Sequence, residues 1–381
     1  MNNNLELFWE PIDILESLSV SGAEMSKWQL AYLCGLIKEN KPKKIVEVGT
    51  SAGGTAAVMM NCVYMLGLDA EIFAVDISDK YYREPDKKTG HLTIECSELL
   101  EHPPKYKRCI GILPEVLEEI GDDIDFLLLD TTHSLPGELL DFCVCLPKLK
   151  DGAVVAVHDI ILNHLGELTY AYSTKVLLSA AVGEKIECKG DSTGYLSPGI
   201  GAFKVTKDTR KCIKDVFSAL TITWHYIPEE WQIKKYREMY SKYYDSSCIE
   251  AFDDAVNMNM KTLERVSYNR EMSLKKVFQL LRELENRENV FIYGCGIIGK
   301  KLKKLLESFD IEISGWVISD NETKKNMDKQ VRYISEMSDE KYNIVLGMNE
   351  YNQRMVCESN ESKNWIRVEK EVLLFLNEYI C

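Results

Sequence analysis

The chain has 381 residues, with 46 Lys and Arg against 60 Asp and Glu and a formal charge of −14. That length calls for two or three domains, and so acidic a surface repels a phosphate backbone and argues against nucleic acid as a partner. The opening "MNNNLELFWEPID" has no signal-peptide pattern, the longest weakly charged run is broken by Glu47 and its glycines and is no membrane span, and twelve cysteines without a CxxC pair read as reduced thiols of a cytoplasmic protein.

Residues 26–40 place Trp28, Ala31, Tyr32, Gly35 and Leu36 at helical spacing, with Ser26 as N-cap. After the turn "KPKK", the short apolar runs "KIVEVG", "EIFAVD", "RCIGIL", "DFLLLD" and "AVVAVHD" alternate with stretches long enough for crossover helices. This alternation predicts an α/β fold, a doubly wound and mostly parallel sheet covered on both faces. A turn-rich "GDSTGYLSPG" then leads into "GIGAFKVT" (199–206), read as a last, antiparallel edge strand. Between 208 and 287 strand signals vanish. Tyr236, Tyr240, Tyr243 and Tyr244 read as helix-packing residues or as a sugar or partner surface, and Leu274, Val277, Phe278, Leu281 and Leu284 form an apolar helix stripe. From Asn289 a second, smaller α/β unit begins, with room for three or four strands. The expected division is 1–207, a helical connector at 208–287, and 288–381.

The stretch "VEVGTSAGGTAA" leaves a strand and opens a helix. Gly49, Gly53 and Gly54 allow a tight turn and close approach of a ligand, and the helix start offers free N–H groups. Glu47, two residues before Gly49, would repel a phosphate and suits a ligand bearing an ammonium and hydroxyls. The next strand ends at Asp76, where doubly wound folds read ribose hydroxyls. Two further strands end in Asp130 and Asp159. Adjacent strands lie about 4.8 Å apart, so both carboxylates face one cleft. Such like charges are costly unless a proton or cation lies between them, and oxygen ligands of this kind suit Mg²⁺ or a similar hard ion.

With these residues in place, residues 26–206 resemble class I S-adenosylmethionine-dependent methyltransferases. More narrowly, they are similar to the metal-dependent small-molecule and sugar O-methyltransferases found with polyketide-sugar and glycan genes. The resemblance implies that Glu47 and the loop Gly49, Thr50, Ser51 and Gly53 hold the methionine part of S-adenosylmethionine, and that Asp76 holds the ribose. Family members often carry Gly-Asp or Gly-Ser near the adenine, where this chain has Gly111-Ile112. It further implies that Asp130 and Asp159 bind the metal and that His133 is the general base for an acceptor hydroxyl. His158 either supplies a nitrogen ligand or packs under the loop, and a third oxygen ligand is Asn163 or water.

A second glycine loop, "YGCGIIGKK", has Gly294, Gly296 and Gly299 in the dinucleotide spacing, with Asp320 ending the next strand. This unit resembles the small Rossmann-like domains attached to sugar-modifying methyltransferases and acyltransferases of glycan pathways. The expected substrate is therefore a sugar, nucleotide-sugar or glycan precursor. A non-catalytic nucleotide-sugar-binding scaffold and a nicotinamide-dependent sugar oxidoreductase are the competing readings, and the sequence leaves room for a homo-oligomer.

Overall fold

The computed structural model describes residues 5–19, 23–164, 169–186, 199–323, 328–337, 342–359 and 365–380. It divides into two units, Met1–Met260 and Lys261–Cys381.

The first unit alternates strands and helices. In chain order these are α1 (Lys27–Asn40), β1 (Lys44–Val48), α2 (Gly54–Met65), β2 (Glu71–Asp76), α3 (His91–Leu99), β3 (Lys105–Ile110), α4 (Leu113–Ile120), β4 (Ile124–Leu129), α5 (Gly137–Cys145) and β5 (Leu149–His158). Then come α6 (Ser173–Ala180), β6 (Glu184–Ile186), β7 (Ile200–Lys204), α7 (Lys207–Lys211), α8 (Ile213–Ala219) and α9 (Glu230–Tyr243), with α10 (Ser246–Leu284) crossing the division in sequence. The Ser26 hydroxyl accepts the Gln29 N–H at 3.3 Å while the Gln29 side chain accepts the Ser26 N–H at 2.7 Å, a reciprocal cap that starts α1.

The sheet order is β3-β2-β1-β4-β5-β7-β6. Strands β1 to β5 run parallel, and β7 pairs antiparallel with β5. Successive side chains point to opposite faces. Val46, Leu127 and Val155 join one core with α4, α5 and the later helices, and Ile45, Phe126 and Val154 join another with α1 and α2. Each such buried side chain contributes about 1.5–3 kcal/mol. Order reverses between β1 and β4, so the crevice for a ligand lies outside their carboxyl ends.

Two sequence expectations change here, and one falls outside the described residues. The antiparallel strand β7 is not the edge, because the short and mostly exposed β6 lies outside it. Strand β3 spans Lys105–Ile110 rather than starting at Arg108; it is a sheet edge whose alternating exposure hides its apolar pattern. The turn read in "GDSTGYLSPG" lies outside the described residues up to Pro198. Three of the tyrosines are packing residues. Tyr240 donates to the Leu140 carbonyl at 2.9 Å, Tyr244 to that of Cys143 at 2.6 Å, and Tyr236 to the Asp141 carboxylate at 2.7 Å, all on α5.

The second unit adds β8 (Val290–Tyr293), α11 (Ile297–Glu307), β9 (Ile313–Ile318), β10 (Gln330–Tyr333), β11 (Asn343–Leu346), α12 (Glu350–Ser359), β12 (Trp365–Ile366) and α13 (Lys370–Tyr379). Its sheet has five parallel strands in the order β10-β9-β8-β11-β12, more than the three or four expected, because β10 and β12 are too short to read as apolar runs. Of the α10 stripe, Val277, Leu281 and Leu284 are buried, but Leu274 and Phe278 are exposed and Leu280 takes the inward place. Among the described residues no helix is long and apolar enough to cross a membrane.

Candidate active site

The loop after β1 is held by contacts that only glycine permits. Gly49 has φ +94°, its N–H donates to Val75 at 2.9 Å, and a Cβ there would lie 1.8 Å from the Asp130 carbonyl oxygen. Gly53, with φ +89°, caps α2, and its Cβ would meet the Thr93 hydroxyl at 2.5 Å. Asp76 sits beneath this loop: one carboxylate oxygen accepts the N–H of Thr50 at 3.1 Å and of Ser51 at 3.2 Å, and the other accepts that of Ser78 at 3.0 Å. An ionised carboxylate has about four acceptor positions, so Asp76 retains capacity for a further donor. Gly111, with φ +143°, donates to the Asp76 carbonyl at 2.9 Å.

Glu47 lies within β1, only 1% exposed, and its Oε2 has no hydrogen-bond partner. Burial first, then the charges of Asp130 and Asp76, push its carboxyl well above the usual range. A buried carboxyl left unpaired is unfavourable, and a cationic ligand group would relieve it.

The tips of β4 and β5 bring three more groups together. The His133 Nε2 lies 3.7 Å from Asp130 Oδ1 and 3.4 Å from Asp159 Oδ2. Asp130, His133 and Asp159 each offer one ligand atom, all within 4.8 Å of one another, a set that can hold a metal ion. His158 is outside that set. It is buried, and its Nδ1 lies 2.9 Å from Asp130 Oδ1, a hydrogen bond that orients the carboxylate from beneath. Burial would raise the Asp130 carboxyl, but the charge and hydrogen bond of His158, with His133, hold it below its ordinary value. Asp159 is raised, by burial and the charge of Asp130 against the two histidines. Asn163, the other candidate ligand, keeps a buried amide oxygen without a hydrogen-bond partner.

Both His133 and Asp159 have left-handed backbones, with φ +57° and +55°. For residues with a Cβ this costs roughly 1–2 kcal/mol each, and strain of that kind gathers at functional sites. What holds His133 there is Glu138, which the sequence reading passed over. Fully buried, its Oε1 accepts the His133 N–H at 2.7 Å and the Thr131 hydroxyl at 3.0 Å, and lies 3.6 Å from His133 Nδ1. The signal was present in "PGELLDFCVCL": two carboxylates, Glu138 and Asp141, three residues apart in an otherwise apolar helix.

Gly49, Asp76 and Gly111 line one cavity of about 230 Å³, together with Thr131 and, from the helices, Asp141 and Tyr236. Its lining residues Val48 and Thr131 directly follow Glu47 and Asp130 in the chain.

Residues 46–160 match the family model described as a methyltransferase domain. The chain carries a methyltransferase domain. The candidate residues of the first unit from Glu47 to Asp159 fall within it. Among solved structures, this methyltransferase is similar to the O-methyltransferase TomG from Streptomyces achromogenes, involved in tomaymycin synthesis and in complex with S-adenosylmethionine, at 15% identity over 52% of this chain and 88% of that one, TM-score 0.35. It is similar also to an O-methyltransferase from Bacillus cereus in complex with S-adenosylhomocysteine, at 14% identity over 51% and 89%, TM-score 0.35. A third is the O-methyltransferase NovP, at 14% identity over 49% and 84%, TM-score 0.34. At identities and scores this low, the ligands and reactions of those proteins stay theirs. Comparison with curated proteins gives no match.

Proposed function

We propose that the protein is an S-adenosylmethionine-dependent O-methyltransferase acting, with a divalent cation such as Mg²⁺, on a hydroxyl of a sugar, nucleotide-sugar or glycan precursor. The observation that carries this reading is the cluster of Asp130, His133 and Asp159 beside a glycine loop and an unpaired buried Glu47 within a methyltransferase domain. Glu47 takes the ammonium of the methyl donor, the Gly49–Gly53 loop lies along its amino-acid part, and Asp76 takes a ribose hydroxyl. Asp130 and Asp159 hold the cation, and His158 keeps Asp130 in place. A cation there lowers the pKa of a hydroxyl bound to it. His133 receives the hydroxyl proton, a role suited to a base whose unperturbed pKa is about 6.5. Glu138 fixes the loop that carries it. Methyl transfer from a sulfonium is an in-line displacement, so the remaining task of these residues is alignment.

The test is calorimetry of the full chain with S-adenosylhomocysteine and, separately, with Mg²⁺ or Mn²⁺. Binding of the nucleoside that Glu47→Gln and Asp76→Ala each weaken supports the reading; an absence of binding to the intact chain removes it. His133→Ala that keeps cation affinity but loses turnover supports the base role, whereas loss of both makes His133 a ligand.

For the second unit we propose recognition of the nucleotide or carrier part of the acceptor. It has a cleft of about 750 Å³ whose lining mixes apolar residues such as Ile298 and Met348 with Ser319, Asn349 and Asn352, a size and character suited to a small ligand. A nicotinamide reading is less well supported. Asp320 accepts from the Ser335 N–H at 3.2 Å and hydroxyl at 2.6 Å and does not line the cleft, so it offers no ribose contact. Stabilisation of the full chain by a nucleotide-sugar and not by NAD supports this assignment; the reverse response overturns it.

A further inference from the structure

We infer that Asp141 reads the amino edge of the methyl donor's purine, with Tyr236 fixing its carboxyl and the helical segment after residue 220 completing the pocket. The inference rests on the cofactor reading above and adds a specificity residue to it.

One wall of the 230 Å³ cavity is made by strand tips, at Gly49, Asp76 and Gly111; the other is made by α5 and α9, at Asp141 and Tyr236. A site for an entire small molecule runs to roughly 300–1,000 Å³, so this one suits a part of the nucleoside. The neighbouring lining, Val48, Val75, Ile112 and Leu140, is apolar. A flat heteroaromatic ring transfers readily to such walls, but its exocyclic amine needs an acceptor there. The side chain of Ile112, two residues after β3, supplies none.

Asp141 does. It is 6% exposed, it belongs to the cavity lining, and the Tyr236 hydroxyl donates to its Oδ1 at 2.7 Å. That single bond orients the carboxyl and leaves acceptor positions unused. Burial raises its pKa to about 7, against the Tyr236 bond and with the charge of Glu138 assisting. Near neutrality such a group can donate as well as accept, which matches a purine edge carrying both an amine and a ring nitrogen. Asp141 lies within residues 46–160, whereas Tyr226, Gln232 and Tyr236 lie beyond them, so part of this wall comes from outside the matched domain.

The experiment is calorimetry of the full chain with S-adenosylhomocysteine and with the analogue whose purine lacks the exocyclic amine. The intact protein should bind the analogue about 10-fold or more weaker, the loss expected for one buried hydrogen bond to a carboxyl. Asp141→Ala should bind both ligands alike, and Asp141→Asn, which keeps an acceptor, should retain most of the preference. An intact protein that binds the two ligands equally, or an Asp141→Ala variant that still separates them, overturns the assignment while the cofactor reading stands. An intact protein that binds neither ligand overturns the cofactor reading itself.

Discussion

Two glycine loops in this chain follow one construction and end in different chemistry. In the first, Gly49 has φ +94° and donates to Val75 of the next strand over; in the second, Gly294 has φ +103° and donates to Val317 at 3.0 Å. On the other side, the residue after β4 donates to Val48 and the residue after β11 donates to Tyr293, again in matching places. At that position the first unit has Asp130 and the second has Gly347. The acid of the second strand-loop differs as well: Asp76, ending β2, binds the loop N–H groups, whereas Asp320, two residues past β9, turns to Ser335. The lesson is that a glycine loop between strand and helix supplies a place for a ligand, and the neighbouring strand tips decide what happens to it.

The sharpest break of this comparison is Gly49→Ala. It forces a Cβ to 1.8 Å from the Asp130 carbonyl at a left-handed φ, so the loop must shift, with a loss above about 3 kcal/mol in urea unfolding and of measurable S-adenosylhomocysteine binding. Next, Asp130→Asn and His133→Ala should each lower turnover by about 10²–10⁴-fold while nucleoside affinity, read by calorimetry, changes less than about threefold. Equal losses of binding and turnover would erase the distinction between loop and tip.

Asp141→Asn probes the pocket wall through stability. The Asp141 pKa is raised from its ordinary value to about 7 in the folded chain, so the folded state holds this proton more tightly than the unfolded one. Its contribution is fully present below about pH 4 and is lost as pH climbs to about 7, for a change of up to about 4 kcal/mol. Relative to the intact protein, the Asn variant should therefore gain stability between pH 5 and pH 8 in paired urea melts. A constant difference across that range would contradict the raised pKa. The smallest effect belongs to Gly296→Ala in the second loop, where nothing lies within 4 Å of the added carbon and φ is −78°. A stability change within about 0.5 kcal/mol is expected there.

Strand tips were legible because a carboxylate that ends an apolar run breaks a simple rule. "DFLLLD" and "AVVAVHD" announce Asp130 and Asp159, and the acid before the first glycine announces Glu47. The pair Glu138 and Asp141 left a signal, but the role of Glu138 was not legible: its partner is a backbone N–H of a loop whose left-handed turn no periodicity encodes. His158 read more readily as packing than as a ligand, and its 2.9 Å contact with Asp130 is made through space and is not visible in the sequence. Strand β6 was missed because two of its three residues face water, which erases the apolar pattern. The stripe on α10 was read two positions too generously, at Leu274 and Phe278, as a 3.6-residue period locates a face but not its edges.

One contact made early in the chain has a wider effect. The α-carbon of Gly49 lies hard against the carbonyl of Asp130, so the backbone of the first glycine loop abuts the backbone that carries the carboxylate–imidazole cluster. Displacing either by half an ångström displaces the other, since no side chain lies between to absorb it. Occupancy of the nucleoside pocket and affinity for a cation should then be thermodynamically linked, each ligand altering the other's dissociation constant by the same factor.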